Sequence, residues 1–412
     1  MNKYSYYFRY LTFLVSLLFC TCKHIPDNVQ SVISESDNSA QLKKAINHYQ
    51  ETGEKNKLKA LYYLIDNMRY KYHVEGKGVE NYNYLLDKLC ETPEIRKEFY
   101  SSIWDSLANA HSIRFPGETY TVYDINTITA ELLIEHIDAA FKAWQMPWAK
   151  ELSFEDFCEY ILPYKLVNEV PDSWMQQIQK SFKDIPIPTE DPYEACLLIN
   201  SELKKRFKIR SIPVYWDLNY TKLDKIRSGK CYQATQYSAY VMRAMGVPVV
   251  MDFTPLWGNM NGGHEWNALI WNGKPVPFVG SESDPGKTKV DLAMQRKRSK
   301  VFRHTYTIQK DGLQYLTQGT EEIPQLFKDY YLKDVTREYI PVSDVEVMLN
   351  KNNVNFNYVF LCVFNRQKWQ PIYWAKNNQG QAKFKDMGRK IAYLPVYYSG
   401  GELLPASEPF LL

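Results

Sequence analysis

Apolar residues recur at spacings of three and four through the first half of the chain. In the second half they fall in short runs broken by Gly, Pro and Asn. In "NKLKALYYLIDNMRYKY", Leu58, Leu61, Leu64 and Met68 line one side of a helix. "NYNYLLDKL" continues the pattern to about Lys88. "DINTITAELLIEHIDAAFKAWQM" carries a stripe through Ala130, Leu133, Ile134, Ile137 and Phe141, with Asn126 as the candidate N-cap. Ser153 opens "SFEDFCEYIL" with acids in the first turn, and Pro192 stands just inside "DPYEACLLINSELKKRF". His73, set among charges in "DNMRYKYHVEGKG", is expected at the surface. No repeat period emerges, which excludes a solenoid.

After Val247 the runs "PVVMDFTP", "EWNALIW" and "KPVPFVG" predict strands. From about Pro341 the chain reads almost wholly as β. "VNFNYVFLCVFN", "QPIYWAK", "QAKFKDM" and "KIAYLPVYY" are separated by turn signals such as Asn377-Asn378-Gln379-Gly380, the spacing of a small sandwich. The expected fold class is α+β. A helical region spans residues 23–150, a mixed core 151–320 and a β-rich module 321–412.

Residues 1–22 have a different texture. Lys3 and Arg9 precede the apolar run Leu11–Phe19, which is too short to span a bilayer and reads as an export signal. A cysteine directly after such a run resembles a bacterial lipoprotein signal. Cys22 after Thr21 fits that pattern better than Cys20 after Phe19, so Cys22 is the expected lipidation site and the membrane a partner through it. The polar stretch "KHIPDNVQSVISESDNSAQ" is expected to be a flexible tether. A net charge of +3 without a basic stripe gives no reason to expect nucleic acid. The 32 tyrosines suit packing at element surfaces, or a stacking surface for sugar or peptide. Five further cysteines, Cys90, Cys158, Cys196, Cys231 and Cys362, show no CxxC pair and no metal-ligand spacing. No metal or cofactor is expected. Glu282, Asp284 and Asp291 do not match a calcium loop.

Chemistry concentrates in "GKCYQATQYSAYVMRAMGVP". Gly229 permits a sharp entry, and Ala234, Tyr237, Ser238, Val241, Met242 and Met245 form one helical face. Gly246 is a C′ candidate and Pro248 stops continuation. Cys231 therefore stands in or just before the first turn, where unpaired N–H groups and the helix dipole favour a thiolate. The same groups suit an oxyanion.

"NGGHEWNALIWNGKPVPF" supplies a base. His264 opens a strand, and Trp266 shares its face and walls the imidazole from water. Trp257, on the loop before His264, is a candidate cleft residue with Trp266. Gly258, Gly262 and Gly263 suggest a loop mobile enough to gate the site. A third group should orient the imidazole. Asn272-Gly273 marks a hairpin. A two-residue loop puts Ser281 opposite His264. A three-residue loop puts Glu282 there, the chemically suited choice.

"SGKCYQATQYSAYVMRAMGVPVVMDF" followed by "GGHEWNALIWNGKPVPF" resembles the transglutaminase-like core, a papain-related cysteine fold. The resemblance implies Cys231 as nucleophile, before Arg243, Gly246, Val247 and Pro248, and His264 as base in an H-x-W pattern with Trp266. The family's aspartate follows an aromatic near the end of the next strand. Here Val279 follows Phe278; either Glu282 or Asp284 substitutes after a small bulge, or the triad is incomplete. The flanking "YQETGEKNKLKALYYLIDNM" and "FCEYILPYKLVNE" and the β-rich tail look like exported transglutaminase-like lipoproteins of Bacteroides-type bacteria. The expected function is cysteine acyl transfer on amide or peptide bonds of a peptide or protein substrate, hydrolytic in outcome, at the cell envelope. The alternative is a degenerate enzyme fold kept for binding.

Overall fold

Leu61 and Leu64 lie fully buried along one side of a helix, as their spacing requires, and Met68 caps the same apolar side. A computed structural model describes residues 24–91, 100–114, 117–210, 212–287, 296–350 and 356–412. The fold class is α+β. Up to residue 244 the described helices are α1 (Asp27–Glu35), α2 (Ser39–Thr52), α3 (Lys55–Asn67), α4 (Lys77–Glu91), α5 (Tyr100–Ala110), α6 (Ala130–Trp144), α7 (Phe154–Tyr160), α8 (Trp174–Phe182), α9 (Pro192–Arg206), α10 (Tyr220–Ile226) and α11 (Cys231–Ala244).

Several helix starts follow the expected local chemistry. Ser153 Oγ accepts the Asp156 N–H, and Asp191 caps α9 ahead of Pro192. Asn126 does not cap α6. Thr129 does, through the Leu132 N–H, while Asn126 Oδ1 accepts from the Asp37 N–H.

The stretch after Cys22 is not a tether from Asp27 onward. It forms α1, because Val29, Val32 and Ile33 share one face and bury against α2 and α3. Cys20 and Cys22 lie outside the described residues, as does Asp291. The helical first half also holds a strand pair, β1 (Tyr72–Glu75) antiparallel to β2 (Tyr120–Tyr123). His73 on β1 is 3% exposed, against the surface position expected. Its Nδ1 meets Asp124 at 3.1 Å and its Nε2 meets Glu75 at 3.1 Å. Alternation along β1 turns it inward, and two carboxylates satisfy it there. Asp124 also accepts from Lys165 Nζ (2.8 Å) and Tyr164 OH (2.7 Å).

A short parallel pair, β3 (Lys208–Ile209) and β4 (Ser228–Gly229), leads into α11. Beyond it lie β5 (Val249–Thr254), β6 (His264–Trp271), β7 (Lys274–Phe278), β8 (Phe302–His304) and β9 (Leu332–Asp334). They form an antiparallel sheet in the order β7-β6-β5-β8-β9. α11 crosses this sheet and is buried at every position from Gln233 to Ala244. One apolar interior runs from Val29 through the helices to Leu269 and Tyr306, so the first-half helices and the sheet share a core.

The last module contains β10 (Val342–Met348), β11 (Tyr358–Asn365), β12 (Lys368–Lys376), β13 (Gln381–Gly388), β14 (Ala392–Ser399), β15 (Glu402–Pro405) and β16 (Phe410–Leu411). β12-β11-β14-β15, with β16 on β14, make a five-stranded sheet, and β10 pairs with β13. Val347, Phe384 and Met387 from the second sheet share a core with Val359, Leu361 and Tyr393 from the first.

Candidate functional site

α11 starts where it does because Gly229 lets Gln233 fold back on the chain. A Cβ on Gly229 would lie 2.3 Å from Gln233 Cβ. In the space left, Gln233 Oε1 accepts the Lys230 N–H at 3.1 Å. Gly246, at φ 72°, ends the helix. Trp148 Nε1 donates to Met245 O (2.7 Å) and Arg243 Nε to Val249 O (2.9 Å), fixing its far end.

Cys231 is the first residue of this helix and is half-buried. The backbone N–H groups of Glu265, Tyr232 and Cys231 itself act to lower the pKa of its sulfur, and the Glu265 carboxyl acts to raise it. The expected depression of its pKa is not what results. Burial pushes the thiol up, and the three N–H groups offset this only in part. The other described cysteines are unpaired, with Cys158, Cys196 and Cys362 buried and Cys90 half-buried.

Cys231 thus abuts β6 at the peptide bond between His264 and Glu265. Glu265, Asn267 and Leu269 face α11, and Asn267 Nδ2 donates to Thr235 O at 3.0 Å. His264 and Trp266 belong to the opposite parity, opposite Thr254 and Asp252 of β5. The His264 ring lies between Trp257 (centroids 6.3 Å apart, 21° between planes) and Trp266 (6.1 Å, 28°). Arg296 lies over the Trp257 ring at 5.3 Å and Arg298 over that of Trp266 at 5.4 Å. Trp257 and Trp266, the candidate cleft residues, are 2% and 3% exposed. Their rings wall the imidazole and offer little open surface.

The loop before His264 is stitched to the last module. Asn365 Nδ2 donates to the carbonyls of Trp257 (3.1 Å), Met260 (2.8 Å) and Gly262 (3.2 Å), while its Oδ1 accepts the Gly262 N–H at 2.9 Å. Asn261 Oδ1 accepts the Arg366 N–H at 2.6 Å. A loop expected to be mobile is held from both sides.

The hairpin after β6 uses the two-residue loop. Trp271 pairs with Lys274, and Asn272 and Gly273 both take positive φ. The ladder ends at Asn267–Phe278, because Gly280 turns away and gives its N–H to Asn267 Oδ1 (3.2 Å). Neither Ser281 nor Glu282 is paired opposite His264. Glu282 lies exposed in the turn, with its N–H on Val279 O (3.0 Å). Asp284 is engaged by Lys204 (2.5 Å) and Asn200 Nδ2 (3.0 Å).

An acid group that the motif reading passed over stands closer to Cys231. Glu265 is half-buried as a residue, but its Oε2 is shut off from solvent without a hydrogen-bond partner. Burial, with the charge of Asp217 adding, pushes its carboxyl up to about 8. Asp217 accepts from Tyr232 OH at 2.5 Å and is itself pushed up to about 6, chiefly by burial. The signal was present in "HEWNAL", where an ionisable residue shares parity with Leu269 on the inward face of the strand. Among the described residues no group of three His, Cys, Asp or Glu side chains is placed to hold a metal.

No family model and no curated protein matches the chain. Among solved structures, a candidate cysteine protease from Cytophaga hutchinsonii aligns with 33% of this chain and 45% of its own, at 15% identity and a TM-score of 0.27. The alignment spans less than half of that protein, and a likeness this slight carries no argument about activity.

Proposed function

We propose that the chain is a cysteine acyl-transfer enzyme that hydrolyses amide bonds in peptides or proteins, with Cys231 as nucleophile and, as base, His264, whose ring must turn from the Trp257–Trp266 side of β6 toward the sulfur. One observation carries this reading. A half-buried thiol begins a helix that is buried from Gln233 to Ala244, and the backbone N–H groups of the helix start and of Glu265 lie near enough to lower its pKa. The raised thiol fits a nucleophile deprotonated at the moment of attack rather than a standing thiolate. The sulfur adds to the carbonyl carbon as its proton passes to the base. The N–H groups at the helix start then face the oxyanion. The C–N bond breaks, the departing amine takes that proton, and water releases the acid from the thioester.

The same raised thiol favours a second reading, a degenerate site retained for binding. Iodoacetamide alkylation of Cys231 against pH separates the two. The enzyme reading expects His264→Ala to slow alkylation near neutral pH. A titration above the ordinary range of about 8.5, indifferent to His264, would establish the binder. We also read residues 1–22 as an export signal with lipidation at Cys22. The mass of the mature N-terminus from membranes tests this.

A further inference from the structure

A cavity of about 620 Å³ opens along the start of α11, lined there by Lys230, Tyr232 and Gln233, the residues flanking Cys231. That volume suits a small substrate group. Its walls are aromatic. Tyr82 meets Tyr215 and Trp216 edge-on, at 5.7 and 5.4 Å, and Tyr72 and Tyr232 complete the lining. Its one carboxyl, Asp217, accepts a hydrogen bond from the Tyr232 hydroxyl at 2.5 Å. The nearby cations make their hydrogen bonds elsewhere, although the Lys165 charge also acts on Asp217. Lys165 is bonded to Asp124 (2.8 Å) and Tyr72 O (2.9 Å), and Lys222 to Asp87 (3.0 Å). Lys230 is exposed at the rim. Two more acids, Glu265 and Glu169, are each near enough to Asp217 to act on its charge.

From this lining we infer that the cavity is a subsite for a primary ammonium group on the substrate, held by Asp217 and the faces of Tyr215, Trp216 and Tyr232. A half-buried carboxyl with two other acids near it gains from a cation, and aromatic faces add attraction. An ammonium held this way stays charged. It is therefore a recognition element of the acyl donor and not an attacking amine, which must be neutral. Two sources share this chemistry, the α-amine of a substrate's first residue and a lysine side chain. They differ in reach from the scissile carbonyl. The inference rests on the acyl-transfer reading only in naming the bond next to the subsite.

The test uses matched methanethiosulfonates on the full chain. Their sulfenyl sulfur forms a disulfide with Cys231, methanesulfinate leaves and the thiol proton goes to solvent. Aminoethyl and propyl reagents differ by ammonium against methyl, and an aminopentyl reagent lengthens the reach. Rates are read by mass on the Cys231 peptide and divided by those for free cysteine. The expected cationic-to-neutral ratio is about tenfold above that of free cysteine, the scale of one desolvated cation–aromatic contact. Asp217→Asn and, separately, Tyr215→Leu at a side chain 48% exposed should bring the ratio back toward that of free cysteine. A faster aminoethyl reagent assigns the α-amine, and a faster aminopentyl reagent assigns lysine. Equal normalised rates for charged and neutral reagents would overturn the subsite while leaving a reactive Cys231 intact. Should the thiol react with none, Trp216 fluorescence titrated with propylammonium against 1-propanol reads the same contrast. Identical curves would overturn the inference.

Discussion

Asn365 of β11 grips the backbone of Gly262 from both sides, accepting its N–H at 2.9 Å and donating to its carbonyl at 3.2 Å. Two residues later comes His264. The last β module thereby acts on the candidate site by holding the loop that carries Trp257 to the imidazole.

Asn365→Ala should free that loop. The Asn365 side chain is enclosed, and its loss leaves carbonyls of the loop without donors, at about 1–3 kcal/mol for each group left buried and unpaired. Hydrogen exchange is expected to rise across residues 256–263 while α11 stays protected. Unchanged exchange there would remove the clamp from the account.

Glu265 makes stability fall as pH rises. Its folded pKa, about 8, lies above the ordinary 4.5, so the folded chain binds the extra proton between those values. The stability is fully present below about pH 4.5 and lost toward pH 8. Asp217, at about 6 against 3.8, adds in the same direction over a lower window. Glu265→Gln should therefore raise the melting temperature relative to the parent increasingly from pH 5 to pH 8, by an amount worth a few kcal/mol at the top. Parallel curves for the two proteins would contradict it.

Acid acts through other groups. Burial alone would raise Asp124, but the Lys165 charge and bonds from His73, Lys165 and Tyr164 outweigh it and hold the carboxyl below its usual range. That stability is present above the ordinary value of 3.8 and is lost as pH falls through the lower, folded one. His136 and His304, depressed by burial to about 4 and about 3, weaken the fold below about pH 6.5. Asp124→Asn should cost about 3–5 kcal/mol at neutral pH, because Lys165 is left charged and enclosed. It should also flatten the acid limb below pH 4 in urea titrations, leaving the histidine limb in place.

Gly229→Ala tests the start of α11. The new methyl collides with Gln233 Cβ, so the first turn must shift, at a cost of about 1–3 kcal/mol. Alkylation of Cys231 should lose its dependence on His264 before the fold is lost. Parent-like kinetics would mean that the turn tolerates displacement.

What the chain spelled out alone was whatever depends on neighbours a few residues apart. α11, bounded by Gly229 and Gly246, the Ser153 and Asp191 caps, the Asn272-Gly273 hairpin and the strands of the last module are all local in cause, and turn chemistry and periodicity determine them. The α+β class follows from their order. Other features needed partners distant in sequence. α1 looked like a tether until α2 and α3 supplied a surface for Val29, Val32 and Ile33. His73 looked solvated until Asp124, 51 residues on, arrived beside it. Only the assembled sheet revealed that Glu265, not Glu282, acts on Cys231, and that burial outweighs the nearby backbone N–H groups at the sulfur. Desolvation is a property of everything packed around an atom, and no stretch of sequence short enough to form a motif contains it.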